Sequence, residues 1–334
     1  MRFLIATPLY PPDIGGPSKY AKKICDELTR RDIPVSVVAW SGMERALPWG
    51  LRHLVYFLRL IPGVLRADYI LALDTWSVGF PALCAAKLFR KKFLVRVGGD
   101  FLWEGYIERT GEMVRLSEFY EKPHVFSFKE LLVLKATKFL VRHADVLLFN
   151  TQWQLDIWHK AYSFEHKNAR VLENEYPQKR GDSPAQKKVF VASGRGIRYK
   201  NISAFTEAFN KVTQRYPEIE LDTTPLPPEE NAKRIASCYA VAVPSVSEIN
   251  SNFIIEALSY GKPFITASDS GMHTRLKELG KFVDTLDKKA MEIAIEELLD
   301  EATYRGYKEK IEAFSYIRSW KEVTDEIIDV ARSI

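Results

Sequence analysis

Cysteine is scarce: Cys25, Cys84 and Cys238 are the only three in 334 residues. They are odd in number, far apart and set in apolar segments. That excludes a disulfide framework and fits reduced core thiols of a cytosolic protein. No run of about eighteen apolar residues is free of charge, which excludes a membrane-spanning helix. The opening "MRFLIATPLYPPDIGG" has a short apolar run and no small-residue cleavage site, so no secretory leader is expected. Nucleotide and metal signatures are missing as well. There is no G-x-x-x-x-G-K-[ST] phosphate loop, and no G-x-G-x-x-G with an acidic residue closing the second strand, since "PVSVVAWSG" ends without one. NAD is thereby disfavoured. No D-x-D pair is present to hold a metal, and no long repeat or biased tract points to a solenoid or to disorder.

What is present is the composition of a soluble globular chain, 46% hydrophobic and 27% charged, and its 334 residues suit two domains of ordinary size. The net charge of +5 favours anionic partners in general, whether a phosphate ligand, a lipid headgroup or nucleic acid. Nucleic acid is the least favoured, because the basic residues are dispersed among helices and no recognition motif occurs.

Apolar strand segments alternate with helical ones from the start. "RFLIATPLY", the helix "PSKYAKKICDELTRR" with Tyr20, Ile24 and Leu28 on one face, and "PVSVVAW" form a β-α-β unit. The alternation continues through "DYILAL", "FPALCAAKLFR", "KFLVRV", "FKELLVLKATKFLVRHA" and "DVLLFN". After "ARVLEN", the polar stretch "EYPQKRGDSPAQKK" has no periodicity and reads as a linker. A second alternation follows, from "VFVASG" to "PFITAS", and "SWKEVTDEIIDVARSI" ends the chain as an amphipathic helix. The fold class expected is α/β, with two Rossmann-like domains and a central cleft: residues 1–174, a linker at 175–188, and 189–318. A cleft floored by strand ends and helix N-termini suits a nucleotide-linked ligand.

Three stretches carry candidate chemistry. In "YPPDIGGPSKY", Gly15 and Gly16 stand between a strand and a helix, where the backbone can approach an anion closely or simply turn. In "VASGRGIRYKN", Arg195 and Lys200 follow the first strand of the second domain and can neutralise a diphosphate; Arg198 between them is read as facing water. In "PSVSEINSNFIIEALSYGKP", Glu248 and Glu256 flank the start of a helix near Ser251 or Asn252. Ser245 and Glu248 have the spacing of a capping box, whereas Glu256 has no such explanation. The functional alternative has the N–H groups of Asn252, Phe253 and Ile254 holding phosphate oxygens while the carboxylates accept from sugar hydroxyls.

These segments, in this order, resemble glycosyltransferase family four (glycosyl transferases group 1), a large retaining family, over nearly the whole chain. The resemblance implies the GT-B fold, with the last helix, 319–334, crossing back onto the first domain. It implies that Arg195 and Lys200 bind the donor diphosphate, that Glu256 holds the ribose and that Glu248 contacts the transferred sugar. Where many members carry His-Gly, this chain reads "VRVGGDFLWE", and Asp100 is the polar residue carried over as acceptor-side or sugar-orienting. Ser251 stands where glycine is frequent, and the glycine-containing segment near the base, between "YPEIEL" and "PLPPEEN", is missing.

The expected activity is transfer of a sugar, with retention, from a nucleoside-diphosphate sugar to a glycan or lipid-linked acceptor, without a cofactor or metal. An epimerase of the same fold and a non-catalytic glycan- or partner-binding homologue are the alternatives. Arg45, Arg52, Arg59 and Arg66 recur every seven residues, the last three aligned on one helical face until Pro62 interrupts. A solvated face explains them; attraction to anionic headgroups, placing the protein at the cytoplasmic face of a membrane, is the alternative.

Overall fold

The structure, a computed structural model, describes residues 1–165, 168–181, 185–192 and 196–334. The chain forms two compact units. The first comprises Met1–Gly105, His124–Asn174 and Ser319–Ile334; the second comprises Tyr106–Pro123 and Glu175–Arg318.

The first unit is built on β1 (Phe3–Thr7), β2 (Val35–Ala39), β3 (Tyr69–Ala72), β4 (Lys92–Val97), β5 (Val146–Phe149) and β6 (Ala169–Val171). They run parallel in the order β2-β1-β3-β4-β5-β6. Strands covered on both faces read as continuous apolar runs rather than alternating ones, and β1 and β5 are buried along their whole length. The helices in chain order are α1 (Gly16–Arg30), α2 (Gly42–Ala46), α3 (Trp49–Arg66), α4 (Gly79–Leu88), α5 (Phe101–Thr110), α6 (Leu116–Phe119), α7 (Phe128–His143) and α8 (Gln152–Tyr162). Of these, α6 and the end of α5 belong to the second unit.

The sequence places a boundary at Pro62, but α3 runs through it to Arg66. Proline removes one N–H, the partner of the Leu58 carbonyl. Both residues lie on the exposed side, where water replaces the lost bond.

The second unit is built on β7 (Lys188–Ala192), β8 (Ile219–Asp222), β9 (Ala240–Val243), β10 (Phe264–Ala267) and β11 (Lys281–Val283), parallel in the order β11-β10-β9-β7-β8. Its helices are α9 (Ile202–Thr213), α10 (Pro228–Ser237), α11 (Asn252–Ser259), α12 (His273–Leu276), α13 (Lys288–Leu299) and α14 (Glu301–Ala313). Phe205, Phe209 and Val212 of α9 pack with Met291, Ile295 and Leu298 of α13 in one apolar cluster; Ile235, Ile254, Leu258 and Leu276 belong to another. β8 is an edge strand, and α10 begins after only 223–227.

Strand β7 begins inside the stretch expected to be a linker, and Tyr176 and Arg318 exchange two backbone hydrogen bonds of 2.9 Å within the second unit. The other departure is larger. Residues 106–123 lie in sequence between two strands of the first sheet, yet they group with the second unit, and their Leu116 and Phe119 are fully buried.

The last helix, α15 (Trp320–Arg332), belongs to the first unit. Ser319 and Glu322 cap its start reciprocally. Val323, Ile327 and Ile328 enter the cluster formed with Tyr20, Ile24 and Leu28 of α1. Arg31 ties the two helices, its Nη2 donating to Asp325 Oδ1 at 2.8 Å and to the Lys321 carbonyl at 3.1 Å.

Candidate functional site

In a parallel sheet the loops at the carboxyl ends of the strands are free of the core and carry the ligand chemistry. In the second unit these loops are laced together. After β7, a 3₁₀ turn at Arg198–Lys200 ends on Asn201, in the left-handed region at φ 53°. Asn201 Nδ2 donates to the Thr285 carbonyl beyond β11 at 2.7 Å, and Thr285 Oγ1 donates to the Ser245 carbonyl beyond β9 at 2.9 Å. The Val246 N–H reaches the Tyr199 carbonyl at 2.8 Å.

Lys200 is thereby held above the end of β9. Its Nζ donates to Glu248 Oε2 at 3.1 Å and to Ser245 Oγ at 3.3 Å, while Ser245 Oγ donates to the same Glu248 oxygen at 2.9 Å. Glu248 is only 8% exposed. Its backbone is fixed too, with its N–H on the Asp269 carbonyl and its carbonyl on the Gly271 N–H, both at 3.0 Å. No helix starts at Ser245, so the capping-box explanation of Glu248 fails: the contact joins two side chains in a loop.

Ser251 caps α11, its Oγ accepting from the Ile254 N–H at 3.4 Å. The Ile254 N–H expected to hold phosphate is therefore already engaged by the cap. That of Phe253, also in the first turn, has no partner within the helix. Glu256 lies one turn further on and pairs with Arg180, Oε1 to Nη1, at 3.7 Å. Arg180 also donates to Tyr260 Oη at 2.8 Å.

Segment 106–123 lies against these loops. The Leu116 N–H donates to Ser247 Oγ at 2.8 Å, and Ser247 donates to Asp269 Oδ2 at 2.5 Å. Arg115 bridges Glu118 at 2.8 Å and Asp284 at 2.6 Å, which together hold its guanidinium above its ordinary pKa, the Asp284 hydrogen bond first. Glu108 Oε1 accepts from the Arg198 N–H at 2.5 Å, so Arg198 is tied by its backbone, while the residue itself is exposed. Gly111 has φ +74°, and a Cβ there would stand 3.0 Å from Arg198 Nη1. Asp269, Ser247, Arg115 and Asp284 were not anticipated. Asp269 stands in the polar "SDSG" just past an apolar strand, a readable signal; the Arg115–Asp284 contact has none.

Of the remaining expected residues, Arg195 lies outside the described residues. Gly15 and Gly16 open α1 in the first unit, and a Cβ on Gly15 would come within 2.8 Å of Leu9 Cδ1. Asp100 has a local structural role. It is 1% exposed, its Oδ1 accepts from the Trp103 N–H at 3.0 Å, and its own N–H donates to Glu104 Oε1 at 3.3 Å. It caps the start of α5. Among the described residues no three His, Cys, Asp or Glu side chains gather as a metal-binding set. A hollow of about 380 Å³ lined by Tyr176, Ile255, Leu258, Ile311 and Phe314 contains none of the expected residues.

The first unit holds one buried cation that the sequence reading passed over. Arg96, near the end of β4, donates to the side-chain oxygens of Asn150 and Asn174 and stacks on the Tyr20 ring, 4.0 Å from its centroid. Burial pulls the guanidinium below its ordinary pKa, opposed by Tyr20. Removing it takes a charged donor from two buried amide oxygens. Arg96→Met is expected to lower stability by about 2–4 kcal/mol, read as a drop in the urea midpoint; an unchanged midpoint would show that these oxygens find other donors.

No protein-family model and no curated protein matches the sequence. Solved structures do match. A sucrose-phosphate synthase from Thermosynechococcus elongatus superposes with TM-score 0.71 at 14% identity, covering 99% of this chain and 98% of that one. The catalytic domain of starch synthase IV from Arabidopsis thaliana, bound to ADP and acarbose, gives 0.66 at 11%, with 99% and 98% covered. The UDP-GlcNAc 2-epimerase of Methanocaldococcus jannaschii, in complex with UDP-GlcNAc and UDP, gives 0.56 at 10%, with 99% of each chain covered. At such identities the likeness is one of fold. The class is α/β of GT-B type: two units, each a parallel sheet layered with helices.

Proposed function

We propose that the protein is a retaining glycosyltransferase that moves a sugar from a nucleoside-diphosphate sugar to a glycan or lipid-linked acceptor. The observation that carries this reading is the Lys200–Glu248–Ser245 triangle at the carboxyl edge of the second sheet. It sets a cation and a carboxylate side by side, the pair of charges that a sugar diphosphate needs. Two of the similar structures bear nucleoside diphosphates, ADP in one and UDP in the other.

In this reading the Lys200 ammonium, with Arg195, neutralises charge developing on the departing diphosphate. Glu248, released in part from Lys200, accepts from a hydroxyl of the transferred sugar. Glu256 keeps Oε2 for the ribose diol, since its contact with Arg180 runs through Oε1. No protein nucleophile is required; the leaving phosphate takes the acceptor proton in a front-face displacement. The cations do the work a metal would otherwise do.

A donor-hydrolysis screen over the common nucleotide sugars, with and without added glycan acceptors, tests the reading. Arg195→Ala is expected to lose about a hundredfold in turnover while its melting temperature stays put. Equal loss of both would make the residue structural.

The epimerase among the similar structures favours one second reading, interconversion of a nucleotide sugar. Incubation with donor alone separates the two: accumulation of an epimer without acceptor would replace transfer as the activity. The acceptor's membrane side, at a cytoplasmic bilayer surface, is part of the first reading.

A further inference from the structure

The charge of the chain is not spread evenly. Helices α3, α4 and α7 carry eight Lys and Arg against one carboxylate, Glu130, so their balance exceeds the +5 of the whole protein and the remainder is net acidic. Glu130 is buried and spent in the capping box of α7. The sequence reading had the cations dispersed; the fold gathers them. α4 packs against both α3 and α7 and is itself covered except at its last turn. Rings continue across the three, from Trp49 to Trp76, Phe80 and Phe139 at centroid spacings of 5.5, 6.1 and 6.2 Å. Lys129 Nζ stands 6.0 Å over the Trp49 ring, which brings the first turns of α3 and α7 together.

The same helices bear half of the large apolar side chains that the described residues leave exposed. On α3, Leu51, Leu54, Leu58 and Leu65 follow helical spacing along the outer face, opposite the buried Tyr56, Leu60 and Val64. On α7, Phe128, Leu131 and Phe139 share the outer face with Lys135, Lys138 and Arg142. Phe128 is 76% exposed. The arginines singled out in the sequence are not the main actors: Arg45 pairs with Asp13, Arg59 with Glu44, and Arg52 lies over the Trp40 ring at 5.7 Å. Lys135, Lys138, Arg142 and Arg66 have no ion-pair partner among the described residues.

We propose that the outer face of α3 and α7 docks on an anionic lipid bilayer, the leucine and phenylalanine side chains entering the headgroup boundary and the lysines and arginines meeting lipid phosphates. Nucleic acid would account for the cations but leave the leucines in water. A second copy of this face would cover the leucines but set like charges against each other, which is costly. An anionic bilayer satisfies both. This deepens the lipid-side part of the proposed function, yet it stands or falls apart from catalysis, because it is measured without donor or acceptor.

The test is flotation of the purified full chain with vesicles of phosphatidylcholine alone and of phosphatidylcholine and phosphatidylglycerol in equal parts. Binding should favour the anionic vesicles and weaken as salt rises. Lys135→Glu with Lys138→Glu should weaken it about thirtyfold. Leu54→Ser with Leu58→Ser should weaken it about tenfold or more. Both double variants change exposed positions and should keep the wild-type melting temperature. Equal binding to both vesicles, none to either, or binding indifferent to the leucines overturns the proposal. So does a leucine-dependent dimer, or tighter retention on duplex DNA than on anionic vesicles. Donor hydrolysis by the same preparations shows separately whether the transferase reading holds.

Discussion

Lys200→Met is expected to cut donor turnover about a hundredfold or more and, at the same time, to lower stability by about 2–3 kcal/mol. The double loss follows from what Lys200 touches. Its partner Glu248 has a side chain only 10% exposed, and the lysine itself is 18% exposed. Removing one member of such a pair leaves the other charge poorly solvated, a loss of about 3–5 kcal/mol when the site is dry. Here Ser245 still donates to the carboxylate, and partial exposure admits water, so the lower figure applies. Turnover should fall about 10²–10³-fold, because the diphosphate loses a cation placed where its charge grows. Combining Lys200→Met with Glu248→Gln separates the effects. The amide no longer needs a counter-charge, so the urea midpoint should return most of the way while turnover stays lost. A double variant as unstable as the single one would mean that the pair is not what holds these loops; a single variant that still turns over donor would remove Lys200 from the reaction.

The main lines of the fold are readable because parallel strands covered on both faces must be apolar throughout, as in "FLIAT" and "VLLF", and because the helices between them carry local signatures. Ser251 before α11 and Ser127 with Glu130 before α7 are signals of that kind. The candidate site is less readable because its contacts are not local. Lys200 and Glu248 stand 48 residues apart, and Arg115 and Asp284 stand 169 apart. Asp100 is ambiguous for the opposite reason. A lone polar residue after an apolar strand reads as a ligand group, and a helix also begins there, its Trp103 N–H donating to the Asp100 carboxylate. The seven-residue arginine spacing does mark an exposed face, with Arg45, Arg59 and Arg66 all exposed, but Arg45 and Arg59 also pair with acids at 13 and 44, and the leucines between them are left outside as well.

Segment 106–123 shows how far a local reading can stray. By sequence it connects β4 to β5 and should serve the first sheet. It groups instead with the second unit, its apolar residues Leu116 and Phe119 fully buried, and its polar groups hold the loops beyond β9 and β11. The Glu248 loop is therefore positioned from two sides, by Asp269 through its backbone and by Ser247 through Leu116. A substitution in this segment can disturb the candidate site without touching any residue proposed to meet substrate.

The C-terminal helix makes the complementary case, a distant segment that a first unit depends on. A chain ending at Arg318 is expected to lose cooperative folding of that unit. Val323, Ile327 and Ala331 are fully buried and Ile328 nearly so, and each large aliphatic side chain buried contributes about 1.5–3 kcal/mol. Together with the Tyr20–Trp320 edge contact at 5.3 Å and the Arg31–Asp325 pair, the removal amounts to about 5–8 kcal/mol. That is comparable with the whole stability of an ordinary domain, about 5–15 kcal/mol, and it also bares Ile24 and Leu28 of α1 to water. The second unit has its own two apolar clusters and should survive. Scanning calorimetry of the truncated chain should therefore show one transition retained and one lost or shifted far down, whereas Asp325→Ala, which removes only a partly exposed ion pair, should move the lower transition by a few degrees at most. Two undisturbed transitions in the truncated chain would mean that α1 and the first sheet close their core without α15, and the burial assigned to this helix would then count for little.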